Sequence, residues 1–209
     1  MTDDKSYRLD PNHWDARYQA GDIPWELGCH DPYLQSVIER YDIQPCRTLE
    51  VGCGQGYNAI WLAQRGFEVL GIDVSVTAID AARALAQSAS ARARFEVMNI
   101  LEGPASGAPY GFAFDRAVMH LFEEVEHRAR YVSNLADSMA PGALYHTLSG
   151  STDGPPRDSG PPRRSATEMV SALEPHFELV SLSETAFDPA GHAGAKAWVI
   201  VARRRADEV

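Results

Sequence analysis

The chain has 209 residues, 44% of them apolar, and a formal net charge of −10 from 19 basic and 29 acidic side chains. That suits one domain of ordinary size with a substantial core, and the acidic balance argues against a general grip on nucleic-acid phosphates. No run approaches the roughly 18 apolar residues of a membrane helix, and the start MTDDKSYRLD lacks the apolar stretch of a secretory signal, so a cytoplasmic protein is expected.

Asp10-Pro11 and Asp31-Pro32 each read as a helix N-cap followed by proline, which opens helices over 11–20 and 32–41. Between them GDIPWELG, residues 21–28, holds too many breakers for regular structure. From Thr48 onward short apolar runs alternate with amphipathic stretches: TLEVGC, a helix near 56–65, FEVLGID, and a helix near 76–88 capped by Ser75. RFEVMNI, a Gly/Pro/Ser-rich loop at 102–111, the run FAFDRAVMHLF and a helix near 124–139 follow, with Pro141-Gly142 as the helix stop and ALYHTL as the next strand. The segment SGSTDGPPRDSGPPRRS at 149–165 is expected to be a mobile lid or a solvated linker. A capping box at Ser165 and Glu168 opens a helix to about Glu174, and HFELVSLSETAF and AKAWVIVARR, joined by DPAGHAG, read as an antiparallel pair at the sheet edge. The strand–helix alternation predicts an α/β fold with a mostly parallel sheet of seven strands. It divides into an N-terminal arm at 1–41 and a core at 42–209, with no internal repeat.

The stretch EVGCGQG, Glu50 to Gly56, joins the first strand to a helix. Such a turn lets a ligand approach the backbone and the helix N-terminus. Its glycines fall at 52, 54 and 56, while Tyr57 stands where a dinucleotide fingerprint needs its third glycine. Glu50 would repel a pyrophosphate but suits a cationic sulfonium and its ammonium group, which favours S-adenosylmethionine over NAD. Asp73, with Val74 beside it, ends the second strand about 20 residues beyond the turn, where a carboxylate accepts from ribose hydroxyls. Met98-Asn99-Ile100 close the third strand and could bracket an adenine. All three places lie at consecutive strand ends on one edge of the sheet.

These residues resemble class I S-adenosylmethionine-dependent methyltransferases, over roughly 45–205. The resemblance implies a Rossmann-like sheet with helices on both faces, S-adenosyl-L-methionine as cofactor and S-adenosyl-L-homocysteine as product. It carries over to Glu50, Gly52, Gly54, Gly56, Asp73, Asn99 and Ile100, with Asn99 where Asp is commoner and Pro141-Gly142-Ala143 where Pro-Gly-Gly is usual. A catalytically silent binder of the same cofactor is the contrasting reading, and an NAD-dependent oxidoreductase a more distant one.

Ahead of the core, HWDARYQAGDIPWELG sets Trp14, Tyr18 and Trp25 among Asp, Arg and Gly. It resembles the N-terminal arm of the thiopurine, thiol/halide and tellurite methyltransferase group, which implies that the arm closes over cofactor and acceptor. In FDRAVMHLF, His120 ends the fourth strand as a candidate base or acceptor contact, with Met119, Leu121 and Phe122 beside it, and His146 is a weaker candidate. A lid at 150–164 would bring Arg157, Arg163 or Arg164 near an anionic group, whereas the clusters Arg163-Arg164 and Arg203 to Arg205 otherwise read as solvated ends. The expected acceptor is a small thiol, chalcogenide or halide, ahead of N- or O-methylation of an aromatic metabolite such as a phenol or hydroxyquinoline. Cys29, Cys46 and Cys53 form no CxxC pair, so reduced thiols and no metal site are expected, with Cys53 a buried filler. Neither membrane nor nucleic-acid partners are expected, and the chain is read as a monomer or weak homodimer.

Overall fold

The computed structural model describes residues 6–154, 160–187 and 195–206. A single 3-10 turn, Ser6–Leu9, leads into α1 (Pro11–Ala20) and α2 (Pro32–Arg40), opened by the expected caps: Asp10 accepts from the Asn12 N–H at 2.9 Å and Asp31 from the Tyr33 N–H at 2.7 Å. Then come β1 (Arg47–Val51), α3 (Tyr57–Ala63), β2 (Glu68–Asp73), α4 (Val76–Ser88), β3 (Arg94–Val97), β4 (Tyr110–Arg116) and α5 (Val125–Asp137). The chain finishes with β5 (Met139–Gly150), α6 (Ala166–Leu173), β6 (Phe177–Ala186) and β7 (Lys196–Arg204).

The seven strands form one sheet in the order β3-β2-β1-β4-β5-β7-β6. β1 pairs in parallel with both β2 and β4, so the strand order reverses beside β1, where open α/β sheets form a crevice for ligands. The C-terminal pair is antiparallel as read from sequence, but β7 sits between β5 and β6 and leaves only β6 at the edge. The burial of the strands accounts for that: β7 is almost wholly covered, whereas β6 exposes much of its length and suits an edge.

Alternation along β1 sends Leu49 and Val51 into a core shared with α5 and α6, while Thr48 and Glu50 face α2 and α3. Three boundaries differ from expectation. Pro141-Gly142 does not stop α5, which already ends at Asp137 with Ser138 as its C-cap; both residues lie within β5, where its register with β4 shifts, a place that tolerates a residue with no N–H. β3 stops at Val97, and Asn99 caps a 3-10 turn at Ile100–Glu102. β4 stops at Arg116 because Ala117 turns to φ 67°, so His120 sits in a further 3-10 turn, Met119–Leu121, rather than on the strand.

Candidate active site

The glycine turn leaves β1 with positive φ at Gly52 (66°) and Gly54 (51°), which glycine adopts without a Cβ penalty. Space demands glycine as well: a Cβ at 52 would stand 2.2 Å from Cγ2 of Val118, and one at 54 would stand 2.8 Å from the Tyr18 hydroxyl. Gly56 plays a different part. It precedes α3 and packs against Phe95 and Ala82, below the crevice and off its wall.

Asp73, a residue only 8% exposed, closes β2; one carboxylate oxygen accepts from the Gly54 N–H at 2.9 Å and the other from the Ser75 N–H at 3.0 Å. Each oxygen keeps a further lone pair. Burial raises its pKa, with those two N–H groups opposing the rise. Asp73, Val74, Asn99 and Ile100 share one wall of a cavity of about 590 Å³. The Asn99 side chain is engaged locally: its oxygen accepts from the Leu101 N–H at 3.0 Å.

Glu50 is 1% exposed and lies behind the wall rather than on it. Its Oε1 accepts from Asn58 Nδ2 at 2.9 Å, and its Oε2 is enclosed with no hydrogen-bond partner among the described residues. Burial pushes its pKa up to about 8, only partly offset by Asn58. Asn58, on α3, does reach the wall and passes the contact on. Its oxygen accepts from the Asp31 N–H at 2.7 Å, Asp31 pairs with Arg116 Nε at 2.6 Å, and Arg116 donates to the Trp25 carbonyl at 2.9 Å. One chain of contacts thus runs from below the glycine turn to the N-terminal arm.

That arm covers the crevice. Trp14, Tyr18 and Trp25 all line the cavity, with the Trp25 ring edge-on to Trp14 (5.5 Å) and Tyr18 (5.9 Å), and its indole N–H donating to the Tyr18 hydroxyl at 3.2 Å. Burial, with the Asp73 charge second, raises the Tyr18 pKa and keeps the phenol protonated. A guanidinium, Arg17, lies 4.4 Å from the Trp25 ring centre. Asp15 pins α1 to the start of α4, accepting from Ser75 Oγ at 2.6 Å and the Thr77 N–H at 2.8 Å; these bonds lower its pKa.

The far end of the cavity is apolar, formed by Phe122, Pro161, Pro162 and Phe187 around His120. Asp115 builds it from beneath, accepting from the Val118 and Met119 N–H groups (2.9 and 3.3 Å) and from the hydroxyls of Tyr131 and Tyr145. His120 lines the cavity, and its Nδ1 accepts from the Gly150 N–H at 2.7 Å. His146 lies elsewhere: it stacks on Phe114, bonds the Ile200 carbonyl at 3.1 Å, and is held neutral by burial, its pKa lowered to about 4. Of the proline-rich segment, Arg157 lies outside the described residues. Gly160 is exposed, but residues 161–165 are half-buried or buried, held where Arg164 donates its N–H to the Gly150 carbonyl and accepts at its own carbonyl from Trp198 Nε1 (2.8 and 3.0 Å). Arg164 and Arg204 are buried, so neither basic cluster is simply a solvated end; Arg204 reaches the Ala136 carbonyl at 3.0 Å. The strained Ala117 and the Asp115 anchor had no sequence signal beyond a lone Asp after an apolar run.

The family described as thiopurine S-methyltransferase (TPMT) matches residues 9–204. The chain belongs to that family. This methyltransferase is 28% identical over 162 residues to 2-heptyl-1-hydroxyquinolin-4(1H)-one methyltransferase of Mycobacteroides abscessus, covering 77% of this chain and 70% of that protein. It is 26% identical over 187 residues to thiocyanate methyltransferase 1 of Brassica oleracea, covering 87% and 80%. A solved structure from work on the conversion of a disulfide bond into a thioacetal group during echinomycin biosynthesis superposes with a TM-score of 0.81 at 26% identity, over 95% of this chain and 93% of that one. The methyltransferase uses S-adenosyl-L-methionine and acts on a small-molecule acceptor. Among the described residues no helix is long and apolar enough to cross a membrane, and no group of three His, Cys, Asp or Glu side chains is placed to hold a metal ion.

Proposed function

We propose that the cavity seats S-adenosylmethionine along the β1–β2–β3 edge and a thiol, chalcogenide or halide acceptor at the His120 end, and that the arm at 11–28 closes over both. The observation that carries this reading is the single cavity itself, which joins the ligand edge of the sheet to an apolar end. The residues present fit the cofactor. Asp73 keeps lone pairs for ribose hydroxyls, Asn99 and Ile100 flank the place of an adenine, and Gly52 leaves the backbone open to close approach. Glu50, held largely protonated by burial behind the wall, orients the Asn58 amide, which is the polar neighbour of the amino-acid end. When bound, the cofactor supplies a methyl group activated on a sulfonium. The protein's part is alignment and exclusion of water, which Trp14, Tyr18, Trp25 and Phe187 provide by walling the cavity.

A second reading, O-methylation of a hydroxyquinoline or phenol, is favoured by the hydroxyquinolinone methyltransferase relative. The net charge of −10 supports small-molecule rather than nucleic-acid partners. We read the chain as a cytoplasmic monomer or weak homodimer, one domain of arm and core. A mass-spectrometric screen of thiols, iodide, tellurite, thiopurines, phenols and hydroxyquinolones tests both readings. Methylated sulfur or iodide products support the first and O-methyl products alone the second. No product from any acceptor, with no micromolar binding of S-adenosylhomocysteine, sinks both.

A further inference from the structure

We infer that Asp115 is a positioning residue for methyl transfer. Without reaching the cavity itself, its carboxylate holds the turn at 117–121 so that Val118 meets the glycine turn of the donor side while His120 stands at the acceptor end. The inference rests on the proposed placement of cofactor and acceptor in one cavity.

Asp115 and Val51 are register partners in the parallel pair of β4 and β1. The glycine turn and the turn at 117–121 therefore leave the sheet side by side and at one level. Gly52 on the first and Ala117, Val118 and His120 on the second all line the cavity. The two turns press together at one point, since Val118 Cγ2 lies only 2.2 Å from where a Cβ at Gly52 would stand. Two residues beyond Val118 comes His120, whose Nδ1 accepts from the Gly150 N–H at 2.7 Å. Val118 is thus the spacer between the seat proposed for the donor and the end proposed for the acceptor.

One carboxylate sets that spacer. Oδ1 of Asp115 accepts from the Val118 N–H at 2.9 Å and the Met119 N–H at 3.3 Å. Oδ2 accepts from the Tyr131 hydroxyl of α5 at 3.0 Å and from the Tyr145 hydroxyl of β5. These four donors occupy the roughly four lone-pair sites of a carboxylate, which makes the group an anchor rather than a ligand contact. Asp115, Tyr131 and Tyr145 are all fully buried, and none of them is on the cavity wall. The Leu148 carbonyl of β5 holds the start of the turn, accepting from the Ala117 N–H at 2.8 Å, and the φ of 67° at Ala117 persists because both ends are tied.

Methyl transfer is an in-line displacement, so the acceptor must lie opposite the carbon–sulfonium bond at near contact. A misplacement of about 1 Å from a change remote from the chemistry can cost about a hundredfold in rate. A turn released from Oδ1 lets Val118 and His120 shift relative to Gly52. The residues proposed to hold the cofactor, Asp73, Asn99 and Ile100, hang instead from the ends of β2 and β3. Loss of the anchor therefore lowers the rate of transfer and spares donor affinity.

Three variants test this, each held well below its own unfolding temperature. Asp115→Ala leaves nothing for the two N–H groups, Asp115→Asn keeps an oxygen for them, and Tyr145→Phe loosens the carboxylate while keeping the ring. Single-turnover methyl transfer at saturating donor and acceptor should slow about a hundredfold in Asp115→Ala, with affinity for S-adenosylhomocysteine within about threefold of the natural protein. Asp115→Asn should recover most of that rate, and Tyr145→Phe should slow transfer severalfold at unchanged affinity. A rate in Asp115→Ala within about threefold of the natural one, or a rate loss matched by an equal loss of donor affinity, overturns the role. So does an asparagine variant no faster than the alanine one. Where Asp115→Ala fails to fold, Tyr145→Phe decides, and an unchanged rate in it overturns the role. A natural protein that methylates no acceptor removes the proposed reaction and this role together, whereas an active natural protein with equally active variants removes the role alone.

Discussion

Arg116 and Asp31 meet at 2.6 Å, and the carboxylate is buried where it also caps α2. The pair joins the end of β4 to the second helix, and the same guanidinium holds the Trp25 carbonyl. Removing one partner of a buried pair leaves the other charged and enclosed, which costs about 3–5 kcal/mol. Arg116→Ala should lower stability in denaturant unfolding by that order and weaken S-adenosylhomocysteine binding through a looser arm. A change under about 0.5 kcal/mol, the range of ordinary surface substitutions, would show that the pair carries no such weight.

Asp73→Ala removes the acceptor of the Gly54 and Ser75 N–H groups together with the proposed ribose contact. Affinity for S-adenosylhomocysteine should fall at least tenfold, about 1.4 kcal/mol. Titration calorimetry that finds unchanged affinity disposes of the ribose role.

Glu50 gives a pH dependence with a definite sign. Its pKa rises from 4.5 to about 8 on folding because burial disfavours the charge, so between those values the folded protein holds a proton that the unfolded chain releases. Its contribution to stability is full below about 4.5 and is lost as pH rises through about 8. His146 works the other way, since its pKa falls from 6.5 to about 4. The readout is therefore a difference. Glu50→Gln should gain stability over the natural protein progressively from pH 5 to 8, by an order of a few kcal/mol. Parallel curves for the two proteins would mean that Glu50 titrates normally.

The glycine turn, Asp73 and the aromatic arm were legible because their signals are local: a strand, a spacing of two, and an acid at the next strand end. Glu50 was legible as an acid before the turn, but its burial behind Asn58 was not, since strand alternation shows which face a residue takes and not what fills that face. The contact from Asp31 to Arg116 spans 85 residues and joins two ordinary charged positions. Pro141-Gly142 misled because proline interrupts a strand ladder as well as a helix, and the register shift that absorbs it depends on β4. Likewise Ala117 adopts φ 67° because the Asp115 anchor and the Leu148 carbonyl, which accepts from the Ala117 N–H at 2.8 Å, over-determine it.

Tyr18→Phe removes the acceptor of the Trp25 indole N–H while keeping the ring. The loss of one neutral hydrogen bond is worth about 1 kcal/mol. Binding of S-adenosylhomocysteine should weaken roughly fivefold, and Trp25 fluorescence should report a more exposed indole in the free protein. Unchanged affinity and emission would show that the arm is held by Asp15 and Arg116 alone.

Gly52 and Val118 provide the sharpest test of the turn. A Cβ at 52 would stand 2.2 Å from Val118 Cγ2, at a φ of 66° that side chains rarely adopt. Gly52→Ala therefore meets two obstacles, a clash and a backbone penalty of about 1–2 kcal/mol. Val118→Ala removes the clashing methyl and leaves the penalty. The double variant should recover part of the stability lost by Gly52→Ala, with a coupling of about 0.5–3 kcal/mol in a double-mutant cycle of denaturant unfolding. S-adenosylhomocysteine binding should not recover with it, since the added methyl stays on the cavity wall beside the proposed cofactor. Additive losses would mean that the turn shifts away from Val118 freely, and full recovery of binding would remove Gly52 from the cofactor contact.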